Sequence, residues 1–208
     1  MIGLFGGTFN PVHLGHLRPV LEVYEALSLQ EVRWIPSRHP PHREQPEVSV
    51  EHRLAMLQLA LQGTDFVIDK RELNREGRSY MIDTLISMRK DYPSESLALI
   101  LGLDAFAGLS SWYRWQELLE YSHIIVCSRP QHSRIDDDKD INGVVDRCAV
   151  DDADLLQQYQ QGKIYFQPVT QLAISSTQIR EICKRGESPR FLMPTEVSNY
   201  IDQHNLYQ

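Results

Sequence analysis

His13 and His16 stand three positions apart, behind a glycine pair, Gly6-Gly7, that closes a short apolar run. Residues three apart share one face of a helix's first turn, and the free N–H groups of a helix start attract anions. Two imidazoles added to that end make a grip for phosphate. Gly6 and Gly7 let the backbone bend sharply and approach a ligand closely, and Thr8 and Phe9 continue the turn. Thr8 and Asn10 bring short polar side chains suited to turns and caps, and Pro11 has the fixed φ of a first helical position. The plainer alternative is a surface strand-to-helix turn with two solvated histidines.

A second set, Ile174-Ser175-Ser176-Thr177-Gln178-Ile179-Arg180, lies near the C-terminus. Hydroxyls that open a helix, with a guanidinium one turn in, form another anion site in which Arg180 can hold two phosphate oxygens at once. Ordinary N-capping by Ser175 or Ser176, with Arg180 in solvent, is the other reading. Taken with the histidine segment, the two sites could grip opposite ends of a triphosphate.

Gly102 and Asp104 follow the apolar run 97–101, the position at which open α/β sheets bind ligands. Asp104 could accept hydrogen bonds from a ribose or adenine, or merely cap the following helix. Trp112 and Tyr113, in a serine-preceded loop, offer faces for stacking on a flat heteroaromatic ring, while Trp115 suits the core. Backbone N–H donors around Trp112-Tyr113 would favour a ring carboxylate over an amide. Ser37-Arg38-His39-Pro40-Pro41-His42-Arg43 reads as a proline-stiffened polar arm, able to act as a lid. His39 and His42 could ligate a metal, but binding an acceptor phosphate fits the charge better.

The elements that must position these groups alternate between apolar runs and amphipathic segments, the pattern of βα units. Strands are expected at 2–5, 32–35, 66–68, 97–101, 124–127 and 164–166. Helices are expected at about 14–27, 51–61, 79–92, 176–185 and 195–204. The expected fold is α/β: one doubly wound, Rossmann-like parallel sheet spanning 1–208, with a small helical C-terminal part from about 170. The segment 131–154 accumulates aspartates, Asp136, Asp137 and Asp138 among them, without the spacing of a calcium loop. It reads as a solvated, mobile acidic loop.

Composition narrows the partners. A net charge of −7 over 208 residues argues against general nucleic-acid binding. No stretch is apolar enough to span a membrane, and Met1 leads straight into the first strand without a secretory signal. Cys127, Cys148 and Cys183 are odd in number and lack Cys-x-x-Cys spacing, so a reduced cytoplasm is the expectation and no structural zinc or disulfide framework is.

Residues Gly6 to His16 resemble the signature of the nucleotidylyltransferase superfamily, His-x-Gly-His after a glycine-rich turn. The whole chain is similar to the bacterial nicotinate-mononucleotide adenylyltransferases, through Gly6–His16, Pro40–Arg43, Ser79–Thr84 with Gly102–Trp112, and Ile174–Arg180. That resemblance implies transfer of AMP from ATP to nicotinate mononucleotide, with magnesium accompanying the ATP and a monomer or homodimer as the working unit. It implies that His13, His16 and Arg180 are catalytic. Gly6, Gly7, Thr8, Phe9, Gly102, Asp104, Ser175, Ser176 and Thr177 would bind ATP, and His42, Arg43, Thr84, Trp112 and Tyr113 the acceptor. Two positions depart from the family pattern. Asn10 stands where many relatives carry Asp, and Met81 where many carry Thr near the pyridine ring. Phosphopantetheine adenylyltransferases and cytidylyltransferases share the chemistry with another acceptor, and a non-catalytic nucleotide sensor would share only the fold.

Overall fold

The computed structural model describes residues 1–39, 46–128 and 138–208. Among these, seven strands form one parallel sheet: β1 Ile2–Gly7, β2 Glu31–Pro36, β3 Val67–Ile68, β4 Leu97–Gly102, β5 His123–Ser128, β6 Ala149–Val150 and β7 Ile164–Pro168. Their order is β3-β2-β1-β4-β5-β7-β6. The helices are α1 Leu14–Ala26, α2 Val50–Ala60, α3 Arg71–Asn74, α4 Met81–Asp91, α5 Leu103–Ala107, α6 Lys139–Cys148, α7 Leu155–Gln158, α8 Ser176–Lys184 and α9 Thr195–Gln203.

Strand β4 shows how the sequence builds two layers. Its residues are apolar without interruption, as a strand covered on both faces must be. Leu97, Leu99 and Leu101 join one core cluster, with Leu85 of α4, Phe106 of α5 and Val145 of α6. Ala98 and Ile100 join the other, with Val23 of α1, Leu57 of α2, Ile179 of α8 and Val197 of α9. The period-two alternation thus assigns a helical layer to each face.

Strand order reverses beside β1. After β1 the chain moves outward to β2 and β3, then returns to lay β4 along the other side of β1. A reversal of this kind opens a crevice at the carboxyl ends of the two strands. Those ends are Gly6-Gly7 and Gly102.

Three sequence expectations change. Helix α1 begins at Leu14 with His13 as its N-cap, so Pro11 precedes the helix, and the Asn10–Pro11 peptide is cis. The described part of the aspartate-rich segment is folded. Asp138 caps α6 by accepting from the backbone N–H groups of Asp140 and Ile141, and Ile141 and Val145 are buried. Asp136 and Asp137 lie outside the described residues. Helix α3, unforeseen in the sequence, supplies the buried Glu72.

Candidate active site

A cleft of about 740 Å³ opens at the β1–β4 switch point, lined by Gly6, Gly7 and Gly102 at its base. Its size is that of a small-molecule site. One end is rich in hydrogen-bond donors and the other in aromatic rings.

The donor end is built where two helix starts meet. His16 lines the cleft, and its Nδ1 accepts a 3.3 Å hydrogen bond from the backbone N–H of His13. In neutral His16 that bond places the proton on Nε2. The His13 ring stacks on it with centroids 3.7 Å apart, and is only 4% exposed. Burial lowers the His13 pKa to about 4, so this imidazole is neutral near pH 7. The two histidines are therefore unequal: His16 faces the cleft and His13 lies behind it.

The second helix start belongs to α8. Ser176 and Arg180 line the cleft. The Ser176 hydroxyl donates to the Pro11 carbonyl at 2.9 Å, and Arg180 Nη1 donates to the Asn10 carbonyl at 2.9 Å. Arg180 Nη2 donates to Thr177 Oγ1 at 3.2 Å, away from the cleft wall. Ser175 is the N-cap, accepting from the Gln178 N–H, so the capping reading holds for Ser175 and the cleft reading for Ser176. Gly15 is where the two motifs touch. A Cβ there would stand 2.9 Å from the Ile174 carbonyl oxygen and 3.0 Å from His13 Nδ1.

The turn between β1 and α1 is held from behind. Thr8, Phe9 and Asn10 all line the cleft. Phe9 takes a left-handed φ of 48°, while its ring, 2% exposed, packs between Phe5, Trp34 and His16. Asn10 Oδ1 accepts from the buried Tyr207 hydroxyl at 2.6 Å, which gives this departure from the family pattern a neutral structural role. Arg53 Nη1 donates to the Thr8 carbonyl at 2.7 Å.

At the aromatic end, Trp112, Tyr113, Tyr80 and Met81 line the cleft, and the Tyr80 and Tyr113 rings lie 4.6 Å apart. Trp115 packs against the core, as its position implied, and so does Trp112, but of the two only Trp112 lines the cleft. The Trp112 N–H donates to the Leu109 carbonyl at 2.9 Å, so that backbone donor is already engaged. Thr84 corrects the sequence reading. It is fully buried, its hydroxyl donates to Glu72 Oε1 at 2.6 Å, and it does not line the cleft. Glu72 lines it instead, and burial raises the pKa of its carboxyl. Asp104 also departs from expectation: it is exposed in the first turn of α5, which Gly102 caps, and stands outside the cleft lining. His42 and Arg43 lie outside the described residues.

Sequence reasoning missed Arg53, Tyr207 and Glu72. Arg53 carried a usable signal, since it falls at helical spacing with Val50, Met56 and Leu57, where a charge marks burial with a purpose, whereas Glu72 sits among Asp69, Arg75 and Glu76 and carried none. Nor did Tyr207.

A strand, a glycine turn and two converging helix starts at a switch point have the layout of a nucleotidyl-transfer site, and the cytidylyltransferase-like family model matches residues 4–182. Curated relatives narrow this. A probable nicotinate-nucleotide adenylyltransferase of Methylococcus capsulatus is 47% identical, over 100% of this chain and 99% of its own. That of Pseudomonas fluorescens is 48% identical, over 100% and 97%. The chain belongs to the nicotinate-nucleotide adenylyltransferases of the cytidylyltransferase-like family. A solved structure of Plasmodium falciparum nicotinic acid mononucleotide adenylyltransferase complexed with NaAD shares the fold, with a TM-score of 0.74 at 18% identity over 99% of this chain and 96% of that one. Among the described residues, no helix is long and apolar enough to cross a membrane.

Proposed function

We infer that this protein transfers the adenylyl group of ATP to nicotinate mononucleotide, forming nicotinic acid adenine dinucleotide and pyrophosphate. One observation carries the reading: a single cleft joins a donor-lined end, with His16, Ser176 and Arg180, to an aromatic end, with Trp112 and Tyr113. That is the layout a triphosphate and a pyridine ring require of one site. The full-length relatives named for this activity support it.

In this reading a phosphate oxygen of the mononucleotide attacks the α-phosphorus of ATP in line. The bond from the α-phosphorus to the oxygen bridging it to the β-phosphorus breaks, and pyrophosphate leaves with that electron pair. The attacking group is already an anion, so no general base is needed, and rate comes from positioning and charge neutralisation. His16 and Arg180 donate to the phosphate oxygens, Ser176 and the Gly6-Gly7 backbone shape their seat, and His13 backs His16. Trp112 and Tyr113 hold the pyridine ring.

Magnesium would neutralise phosphate charge as it enters with ATP. Among the described residues no group of three or more His, Cys, Asp or Glu could hold a metal, and the cleft's donor end suits phosphate oxygens. A magnesium ion held by phosphates and water fits that lining, since this ion keeps most of its waters and needs few protein ligands. Pyrophosphate release from ATP, measured separately with nicotinate mononucleotide, nicotinamide mononucleotide and phosphopantetheine, tests the reading. Release with neither mononucleotide would refute it.

A further inference from the structure

We propose that Arg53 is a positioning residue of the nucleotide site, a buried cation whose counter-charge is the bound polyphosphate. The proposal rests on the triphosphate reading above. Arg53 projects from α2 and is 1% exposed, yet among the described residues its hydrogen bond goes to a neutral carbonyl, that of Thr8. Its Nε has no hydrogen-bond partner there, and no described carboxylate lies at ion-pair distance; Glu51, exposed at the start of α2, acts on it only from further off. A buried charge without a partner is unfavourable for the folded chain, and folds rarely retain one without a use. Desolvation depresses its pKa, but a guanidinium remains charged at any working pH.

Position supplies the use. Thr8 lines the cleft and Arg53 does not, so the guanidinium grips the phosphate turn from the side away from the ligand. From there it fixes the Thr8–Phe9 peptide, whose left-handed Phe9 needs holding. Its field also reaches the cleft through dry protein, where charge is weakly screened. Arg180 and His16 touch the polyphosphate directly, and Arg53 adds positive potential behind them. The free protein thus carries an unfavourable charge that binding neutralises.

Arg53→Gln and Arg53→Lys separate charge from hydrogen bonding, because glutamine keeps a donor for Thr8 and lysine keeps the charge. Melting temperatures are read without ligand and with inorganic pyrophosphate, and KM and kcat with ATP. Arg53→Gln should melt within a few degrees of wild type, lose most of the pyrophosphate-induced rise, and show a KM for ATP about tenfold higher with a smaller change in kcat. Arg53→Lys should keep the pyrophosphate rise and a KM within about threefold. A glutamine variant with wild-type KM and pyrophosphate response overturns the proposal, as does an equal loss in both variants. If Arg53→Gln does not fold, Arg53→Lys decides alone: a retained pyrophosphate response supports the proposal, and a lost one overturns it. Pyrophosphate binding needs no acceptor. A wild-type protein that pyrophosphate stabilises but that ignores nicotinate mononucleotide would refute the substrate reading and not this one.

Discussion

Replacing Gly15 by alanine probes the junction of the two phosphate motifs with a single methyl group. The added carbon would stand 2.9 Å from the Ile174 carbonyl oxygen and 3.0 Å from His13 Nδ1, where ordinary contact starts at 3.4 Å. Either the start of α8 retreats or the His13 ring tilts, by about half an ångström. Neither neighbour is a flexible side-chain end: one is backbone, and the other is a buried ring stacked 3.7 Å from His16. Alanine favours a helix over glycine by about 1 kcal/mol, and overpacking costs about 1–3 kcal/mol, so the net loss of stability is at most about 2 kcal/mol. Catalysis is more sensitive, because a displacement of about 1 Å at a positioned group costs about a hundredfold. Gly15→Ala should therefore lower kcat/KM for pyrophosphate release by about ten- to a hundredfold, with a melting temperature only a few degrees down. Continuous pyrophosphate detection alongside thermal melting by circular dichroism reads both. Wild-type kcat/KM in a folded Gly15→Ala protein would refute the idea that the two motifs need this contact.

His16→Ala should cut kcat/KM by about a hundredfold or more through loss of one preorganised donor, and unchanged turnover would remove His16 from the phosphate grip. Arg180→Lys keeps the charge but loses the planar fork that reaches the Asn10 carbonyl and Thr177, so KM for ATP should rise or kcat fall; identical kinetics would mean the fork is idle. His13 is neutral when folded, with its pKa lowered from 6.5 to about 4. Its contribution is fully present above pH 6.5 and is lost as pH falls toward 4, by about 3 kcal/mol at most. Denaturant melts across that window should show a shallower slope for His13→Gln than for wild type, and equal slopes would be evidence against the assignment. In competition at equal concentration, nicotinate mononucleotide should outrun nicotinamide mononucleotide by about a hundredfold in kcat/KM, with Trp112→Ala weakening the preferred substrate. The engaged Trp112 N–H and the apolar Met81 at that end of the cleft make Met81→Thr the variant expected to widen the margin. Equal yields of both dinucleotides would sink the acceptor assignment and spare the adenylyl chemistry.

What could be read from the sequence was whatever depends on local pattern. The uninterrupted apolar run 97–101 announced a strand covered on both faces, and Gly6-Gly7 announced a turn at the end of another. Serines before Arg180 announced a helix start, with Ser175 or Ser176 as its cap, and the cap is Ser175. What local pattern did not carry depends on which elements pack together. The family resemblance assigns Thr84 to the acceptor; it lies one helical turn from Tyr80 and Met81, and its hydroxyl is taken by Glu72 of α3, a helix that local pattern did not announce. Asp104 stands in the first turn of α5, which Gly102 rather than Asp104 caps. The aspartate run hid a helix because charge dominated the composition, while Ile141 and Val145, four apart, still supplied a buried stripe. Tyr207 could not be found at all, since its partner is 197 positions away and nothing local marks it.

That separation bears on when the protein becomes active. The turn that opens the first helix receives hydrogen bonds from side chains 165, 170 and 197 positions further along. Contacts so remote in sequence close late, after the loops between them have been ordered. A ribosome-bound nascent chain can therefore complete β1, α1 and most of the sheet with its phosphate turn braced by Arg53 but not yet by Ser176, Arg180 or Tyr207. In refolding, recovery of turnover should trail recovery of helical and sheet signal. Residues 176–207 thus finish the site that residues 6–16 begin, and a chain that has not yet reached them lacks half of its phosphate grip.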